Sequence, residues 1–182
     1  MIDSEIDSLI REVIDFPKKG ISFKDITPLL MDKDISDKII LEFESRVMDF
    51  DLDAIVGIES RGFLYGFLLA NKLGIPFIPI RKSGKLPCKT IKYKYDLEYG
   101  SSEIEIHRDD LKKDWNVLIH DDLLATGGTA CAAAELISLS GAKVAGFTFI
   151  VSLDFLNPNE KLSKYSSTVS YTHLTLPTNR EV

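Results

Sequence analysis

Val117-Leu-Ile-His-Asp-Asp-Leu-Leu-Ala-Thr-Gly-Gly-Thr129 decides how the rest of this 182-residue chain is read. An apolar run with strand character ends in two adjacent carboxylates, Asp121 and Asp122. A small-residue turn follows, Ala125-Thr126-Gly127-Gly128-Thr129, and then an alanine-rich stretch, Ala130 to Leu139, with high helix propensity. Strand, glycine turn and helix in that order let backbone N–H groups and a helix N-terminus close around a phosphate. Carboxylates just before such a turn repel a bare phosphate, so they need another partner. Vicinal ribose hydroxyls, met directly or through a divalent metal, are the natural one, and the segment reads as a sugar-phosphate site. No lysine follows Gly128, which excludes a Walker A loop, and no third glycine stands at the offset of a dinucleotide fingerprint.

Outward from this segment, strand and helix patterns alternate. Ser4 to Ile14 places Ile6, Leu9, Ile10, Val13 and Ile14 at helical spacing, with Asp3 or Ser4 as cap. Phe16-Pro17-Lys18-Lys19-Gly20 breaks that helix, and Ile21 to Asp25 is extended. A helix is expected from about Ser36 to Phe50, a buried strand over Asp53 to Ile58, a helix over Phe63 to Leu73 and a strand over Phe77 to Arg81. Residues 91–95 and 103–107 read as extended arms around a loop. Val117 to Asp121 is the next strand, Ala130 to Ser140 the helix after it, and Val144 to Leu153 a further strand. The pattern predicts an α/β fold with a mostly parallel central sheet flanked by helices. Ligands in such sheets sit at the carboxyl ends of strands. Turns after Ile58, Ile80 and Ile119 therefore belong to one composite site.

Composition narrows the classes. Apolar content of 45% and charged content of 27% fit one soluble domain. The net charge of −6 argues against a general nucleic-acid binder, and no apolar run is long enough to cross a membrane. The first residues lack the basic-then-apolar pattern of a secretory signal. Cys88 and Cys131 have no metal-type spacing, so a cytoplasmic setting is expected.

Three further stretches carry chemistry. Glu59-Ser60-Arg61-Gly62, between a strand and a helix, can address an anion, although an arginine paired with a nearby carboxylate is the plain alternative. From Arg81 to Lys94 the chain holds six basic residues and no acidic one: Arg81, Lys82, Lys85, Lys89, Lys92 and Lys94. This is either a solvated basic face or, flanked by Gly84 and Pro87, a mobile arm that folds over polyphosphate and excludes water. Phe23 beside Lys24 is either an aromatic packed under a loop or a flat partner for a purine.

The Asp121 to Thr129 segment resembles the phosphoribosyl-pyrophosphate (PRPP) motif of the type I phosphoribosyltransferases. The resemblance implies that Asp121 and Asp122 face the ribose, and that Ala125, Thr126, Gly127, Gly128 and Thr129 hold the 5′-phosphate. It implies that Glu59, Ser60 and Arg61 meet the pyrophosphate, with a cis peptide joining Glu59 to Ser60. Arg81, Lys82, Lys85 and Tyr99 are implied to join them there. Asp15-Phe-Pro-Lys-Lys-Gly20, Ser22-Phe23-Lys24, Arg81-Lys-Ser-Gly-Lys-Leu-Pro87 and Leu97-Glu-Tyr-Gly100 make the match narrower. They are similar to the adenine phosphoribosyltransferase family, over roughly residues 5 to 165. That resemblance implies a base-binding hood over residues 1–30, with Ser22, Phe23 and Lys24 at adenine, and a phosphoribosyltransferase core over 31–169 with a flexible catalytic loop. Glu98, Arg61 and Lys85 are the implied catalytic residues, Glu98 assisting proton movement on the purine.

The implied activity transfers phosphoribose from PRPP to adenine, giving AMP and pyrophosphate in purine salvage. Mg2+ would be bound through PRPP near Asp121 and Asp122, with no direct protein ligand set, no organic cofactor and a homodimeric assembly. A different purine base, or a non-catalytic PRPP-sensing regulator, are the alternatives. His120 stands where the family usually has an aliphatic residue. Residues 170–182 match nothing expected in the family and are set apart as a foreign-looking tail outside the fold.

Overall fold

Five consecutive apolar or small residues, Ala54–Ile58, form β3, which is buried along its whole length and lies at the centre of the sheet. The computed structural model describes residues 2–96, 100–158, 162–165 and 170–175. Around β3 run α1 (Ile2–Leu9), β1 (Arg11–Ile14), β2 (Ser22–Asp25), α2 (Thr27–Met31), α3 (Lys33–Val47), α4 (Gly62–Leu73), β4 (Phe77–Lys82), β5 (Thr90–Asp96), β6 (Ser101–His107), β7 (Asn116–Leu124), α5 (Gly128–Leu139), β8 (Lys143–Ser152) and β9 (Ser170–Thr175). The large sheet has the order β5-β6-β4-β3-β7-β8-β9. Strands β4, β3, β7, β8 and β9 are parallel, while β6 joins β4, and β5 joins β6, antiparallel. This is the mostly parallel α/β fold that the alternating pattern predicts.

Alternation along each strand divides the core into two layers. Val56, Ile58, Ile80, Val117 and Ile119 pack with Ala133, Leu136 and Ile137 of α5 on one face. Ile55, Leu118 and Ile150 pack with Ile39 and Phe43 of α3, Tyr65 and Leu69 of α4, and Ile6 of α1 on the other. A sheet covered on both sides needs apolar strands, which explains why β3 shows no polar alternation. Among the described residues no helix is long and apolar enough to cross a membrane.

The chain departs from its sequence reading at both ends. The helix expected over Ser4 to Ile14 stops at Leu9, and Arg11–Ile14 instead pairs antiparallel with Ser22–Asp25. Backbone pairing with β2 replaces the helix there, and two cross-strand ion pairs accompany it: Lys24 meets Glu12 at 2.9 Å and Arg11 meets Asp25 at 3.5 Å. A cis Phe16–Pro17 bond lies in the connecting turn. The sequence sets residues 170–182 outside the fold, yet the backbone of Ser170–Thr175 pairs in parallel with β8, occupying the edge that β8 would otherwise leave unpaired. Strand β7 also runs past the expected Asp121 to Leu124, because its pairing with β8 continues to Leu124↔Ser152.

Candidate active site

The carboxyl ends of β3, β4 and β7 meet at one open cleft of about 610 Å³. Its walls include Phe23, Glu59, Ser60, Arg61, Lys85, Asp121, Asp122 and Thr129. The three turns singled out from the sequence thus share one edge of the sheet, as parallel pairing requires.

Asp121 and Asp122 form the floor. Asp122 is buried and ion-paired to Arg61, with 2.8 Å between Oδ2 and Nε. Its backbone N–H donates to the Asp121 carboxylate at 2.9 Å. Burial raises the pKa of both acids, and for Asp121 the neighbouring Asp122 charge raises it further; Arg61 works against both shifts. Two adjacent carboxylates, of which Asp122 alone is ion-paired to the guanidinium, leave acceptor capacity unmet. Hydroxyl donors or a hard divalent cation suit it, and Mg2+ characteristically uses one or two carboxylates together with substrate oxygens. Among the described residues no group of three or more His, Cys, Asp or Glu could form a metal cage of its own. Gly62, at the start of α4, lies flush against this floor. A Cβ there would stand 2.8 Å from the His120 carbonyl oxygen and 2.9 Å from Asp121 Oδ1.

The turn after β7 encloses a second, smaller hollow of about 80 Å³ lined by residues 123–130 together with Asp121 and Phe149. Gly127 takes φ +77° as the N-cap of α5, a left-handed conformation that glycine adopts without a steric penalty. The first turn of α5 itself carries no acidic residue. Ala125, Thr126, Gly127, Gly128 and Thr129 all line the hollow, and the Tyr95 hydroxyl stands 3.3 Å from Thr129 Oγ1.

The basic side of the cleft is organised by carboxylates. The Glu59–Ser60 peptide is cis. Glu59 was expected among the pyrophosphate ligands; its buried carboxylate instead accepts from Lys85 Nζ at 2.7 Å, from the Lys82 backbone N–H at 2.8 Å, and from Arg81 Nη2 and Nε at 3.2 and 3.3 Å. A carboxylate so engaged, and itself negative, is no ligand for a polyphosphate. Burial tends to raise its pKa, but Lys85, the Lys82 amide and Arg81 outweigh that and hold it at about 2. Arg81 does not line the cleft, whereas Lys82 and Lys85 do. Glu105, a residue the sequence reading passed over, is 1% exposed and accepts from the Lys85 and Leu86 amides, both at 2.9 Å. The basic segment is thereby fastened at its start. Glu98 and Tyr99 lie outside the described residues.

On the far wall, Phe23 lines the cleft with the Arg61 guanidinium 4.8 Å above its ring centroid. Phe16 meets its ring edge-on at 5.2 Å. The side chains of Ser22 and Lys24 turn to Glu12 instead, so only Phe23 of the three presents its side chain to the cleft. Tyr95, Ser102, Ile104 and Leu123 also line it. Tyr95 falls in the stretch 91–95 that the sequence reads as an extended arm, now β5. Ser102 and Ile104 reach the cleft through their register opposite β5 and β4, for which the sequence carries no local signal. His120 is fully buried behind the floor, its Nδ1 2.9 Å from Thr148 Oγ1 and its ring edge-on to Phe43. Burial lowers its pKa to about 3, so it packs there as a neutral ring.

Comparisons with known proteins agree with this geometry. The family described as phosphoribosyl transferase domain matches residues 30–179. The adenine phosphoribosyltransferase of Christiangramia forsetii is 50% identical over 161 residues, covering 88% of this chain and 94% of that protein. The crystal structure of the adenine phosphoribosyltransferase from Thermoanaerobacter pseudethanolicus superposes with a TM-score of 0.89 at 43% identity, over 95% of this chain and 98% of the other. The Saccharomyces cerevisiae enzyme of the same name superposes with a TM-score of 0.86 at 37% identity, over 95% and 98% of the two chains. That structure is a complex with D-2,5-dideoxy-2,5-imino-altritol 1,6-bisphosphate and adenine.

Proposed function

The chain belongs to the phosphoribosyl transferase domain family, and we propose that it is an adenine phosphoribosyltransferase of purine salvage, transferring the 5-phosphoribosyl group of PRPP to adenine to give AMP and pyrophosphate. The observation that carries this reading is the shared cleft: a paired-carboxylate strand end and phosphate turn on one side, an aromatic hood and cations on the other. Identities near 50% with proteins named adenine phosphoribosyltransferase support the choice of base.

In this reading the amides and hydroxyls of the 125–129 turn hold the 5′-phosphate, and Asp121 and Asp122 hold the ribose hydroxyls. When bound with PRPP near these acids, Mg2+ would offset the negative charge that builds as the C1–O bond to pyrophosphate breaks. Arg61, Lys85 and Lys82 face the departing pyrophosphate with the amides of Ser60 and its neighbours. Adenine lies against Phe23, its N9 aimed at C1, and Ser22 and Lys24 contribute backbone contacts. As N9–C1 forms and the N9 proton leaves, Glu98 assists that transfer. The work of the protein is alignment and fixed charge, with no covalent intermediate.

Leu64, Phe67 and Leu68 leave an exposed apolar stripe along α4, which supports a homodimer. Cys88 and Cys131 are not joined in a disulfide, which suits a cytoplasmic setting. Incubation with PRPP, Mg2+ and each purine base in turn tests the reading: AMP and pyrophosphate should form from adenine alone. Nucleotide from hypoxanthine or guanine would move the protein to another base. Ligand binding without pyrophosphate release would make it a PRPP sensor.

A further inference from the structure

Glu59 carries negative charge on the side of the cleft assigned to a polyanion, and that placement needs a reason. Its side chain is 8% exposed and reaches from the turn after β3 to the stretch Arg81–Lys85, at the end of β4 and just beyond it. Every polar contact it makes there is to that segment: the Lys85 ammonium, the Lys82 amide and the Arg81 guanidinium. Arg81 does more than neutralise it. Two of its nitrogens donate to Glu59, and the third, Nη1, donates to the Lys85 carbonyl oxygen at 3.3 Å. Lys85 is therefore fixed at both its backbone and its ammonium by one connected unit, while the Arg81 side chain stays off the cleft wall. Lys85 remains half-exposed on the cleft side, able to meet an anion.

We propose that Glu59 is a positioning residue that, braced by Arg81, holds the Lys85 ammonium where the pyrophosphate of PRPP will lie. This rests on the phosphoribosyl-transfer reading and deepens it. A flexible lysine carries substantial rotamer entropy, and confining it before substrate arrives removes that cost from binding. Glu105 makes an instructive contrast, because it grips the same segment mainly through the Lys85 and Leu86 amides and so supports the loop rather than the charge.

The test uses the intact protein with Glu59→Gln, Lys85→Met and the double variant. Initial rates and calorimetric titration with magnesium pyrophosphate are the readouts. Glu59→Gln should raise KM for PRPP and weaken pyrophosphate binding by about 10-fold, with KM for adenine within about twofold. The double variant should bind pyrophosphate no worse than Lys85→Met, since Glu59 acts through that ammonium. Additive losses, or tighter pyrophosphate binding by Glu59→Gln, would overturn the proposal. So would an equal rise in both KM values alongside a lowered Tm. Should the Gln variant not fold, Glu59→Asp keeps the charge on a shorter arm and should show the same selective loss at smaller size; equal loss for both substrates would overturn the proposal there too. If wild-type protein makes no AMP, the functional reading fails instead, and the pyrophosphate titration still decides the role of Glu59.

Discussion

The two sides of the cleft are built differently. The side formed by the acid pair and the glycine turn is a single unbroken stretch, Asp121 to Thr129, in which strand end, turn and helix start follow one another along the chain. The opposite side, aromatic and basic, is assembled from Phe23, residues 59–61, Lys82, Lys85, Tyr95 and Ser102, which lie far apart in sequence. The first side works through backbone amides and two poorly solvated acids. The second works through ion pairs that tie one segment to another: Arg61 to Asp122, and Lys85 and Arg81 to Glu59. Local geometry is fixed by φ and ψ preferences, whereas a composite wall exists only after the sheet has formed. Arg61 joins the two, ion-paired to the acid floor and stacked over the hood aromatic.

The strongest way to break this comparison is at the floor. Asp121→Asn or Asp122→Asn should lower kcat by about 10-fold or more, because contacts made in the transition state are lost. Steady-state kinetics in both variants check it, and unchanged turnover in both would remove the sugar-binding role. Gly62→Ala tests whether the sides depend on a common joint. Its methyl would meet backbone and carboxylate atoms at 2.8–2.9 Å, so a stability loss of about 1–3 kcal/mol is expected. KM should rise for PRPP and adenine together, in contrast to any variant confined to one wall. Phe23→Leu keeps an apolar contact but removes the flat face. An increase of about 2–10-fold in KM for adenine, with KM for PRPP unchanged, would sharpen the assignment of that wall to the base.

The smallest effect concerns the packing behind the floor. His120 has its pKa held at about 3 by burial, below an ordinary value of 6.5. Between those values the unfolded chain binds a proton that the native state does not. The stability contribution is therefore full above about pH 6.5 and is lost progressively as pH falls towards 3. His120→Leu should flatten this acid loss, read as a smaller difference in Tm between pH 7 and pH 5 than in the wild type. An identical pH dependence would place the acid sensitivity elsewhere.

Parts of the fold were legible for definite reasons. Ala54–Ile58 and Val117–Ile119 are apolar runs bounded by turn residues, so their strand character and burial follow from composition. Arg11–Ile14 was not legible, because Val13 and Ile14 fit a helical spacing as well as a strand, and pairing with Ser22–Asp25 decided between them. The backbone of Ser170–Thr175 likewise finds its place only because β8 offers an unpaired edge. Within the site, Asp121, Asp122 and the 125–129 turn could be read from their spacing. The true partners of Glu59, and the arrival of Ser102 and Ile104 at the cleft, could not be read, since each depends on a register between strands distant in the chain.

The amino-acid sequence by itself determined the alternating order of strands and helices, the acid pair and the amide-lined turn, because periodicity and backbone preference act over a few residues. Only the tertiary structure decided that Glu59 holds cations in place of an anion, that Ser22 and Lys24 turn to Glu12, and that His120 is a neutral core residue. Charge and burial depend on what lies across the space from a side chain, and parallel strand pairing sets that across large separations in the chain.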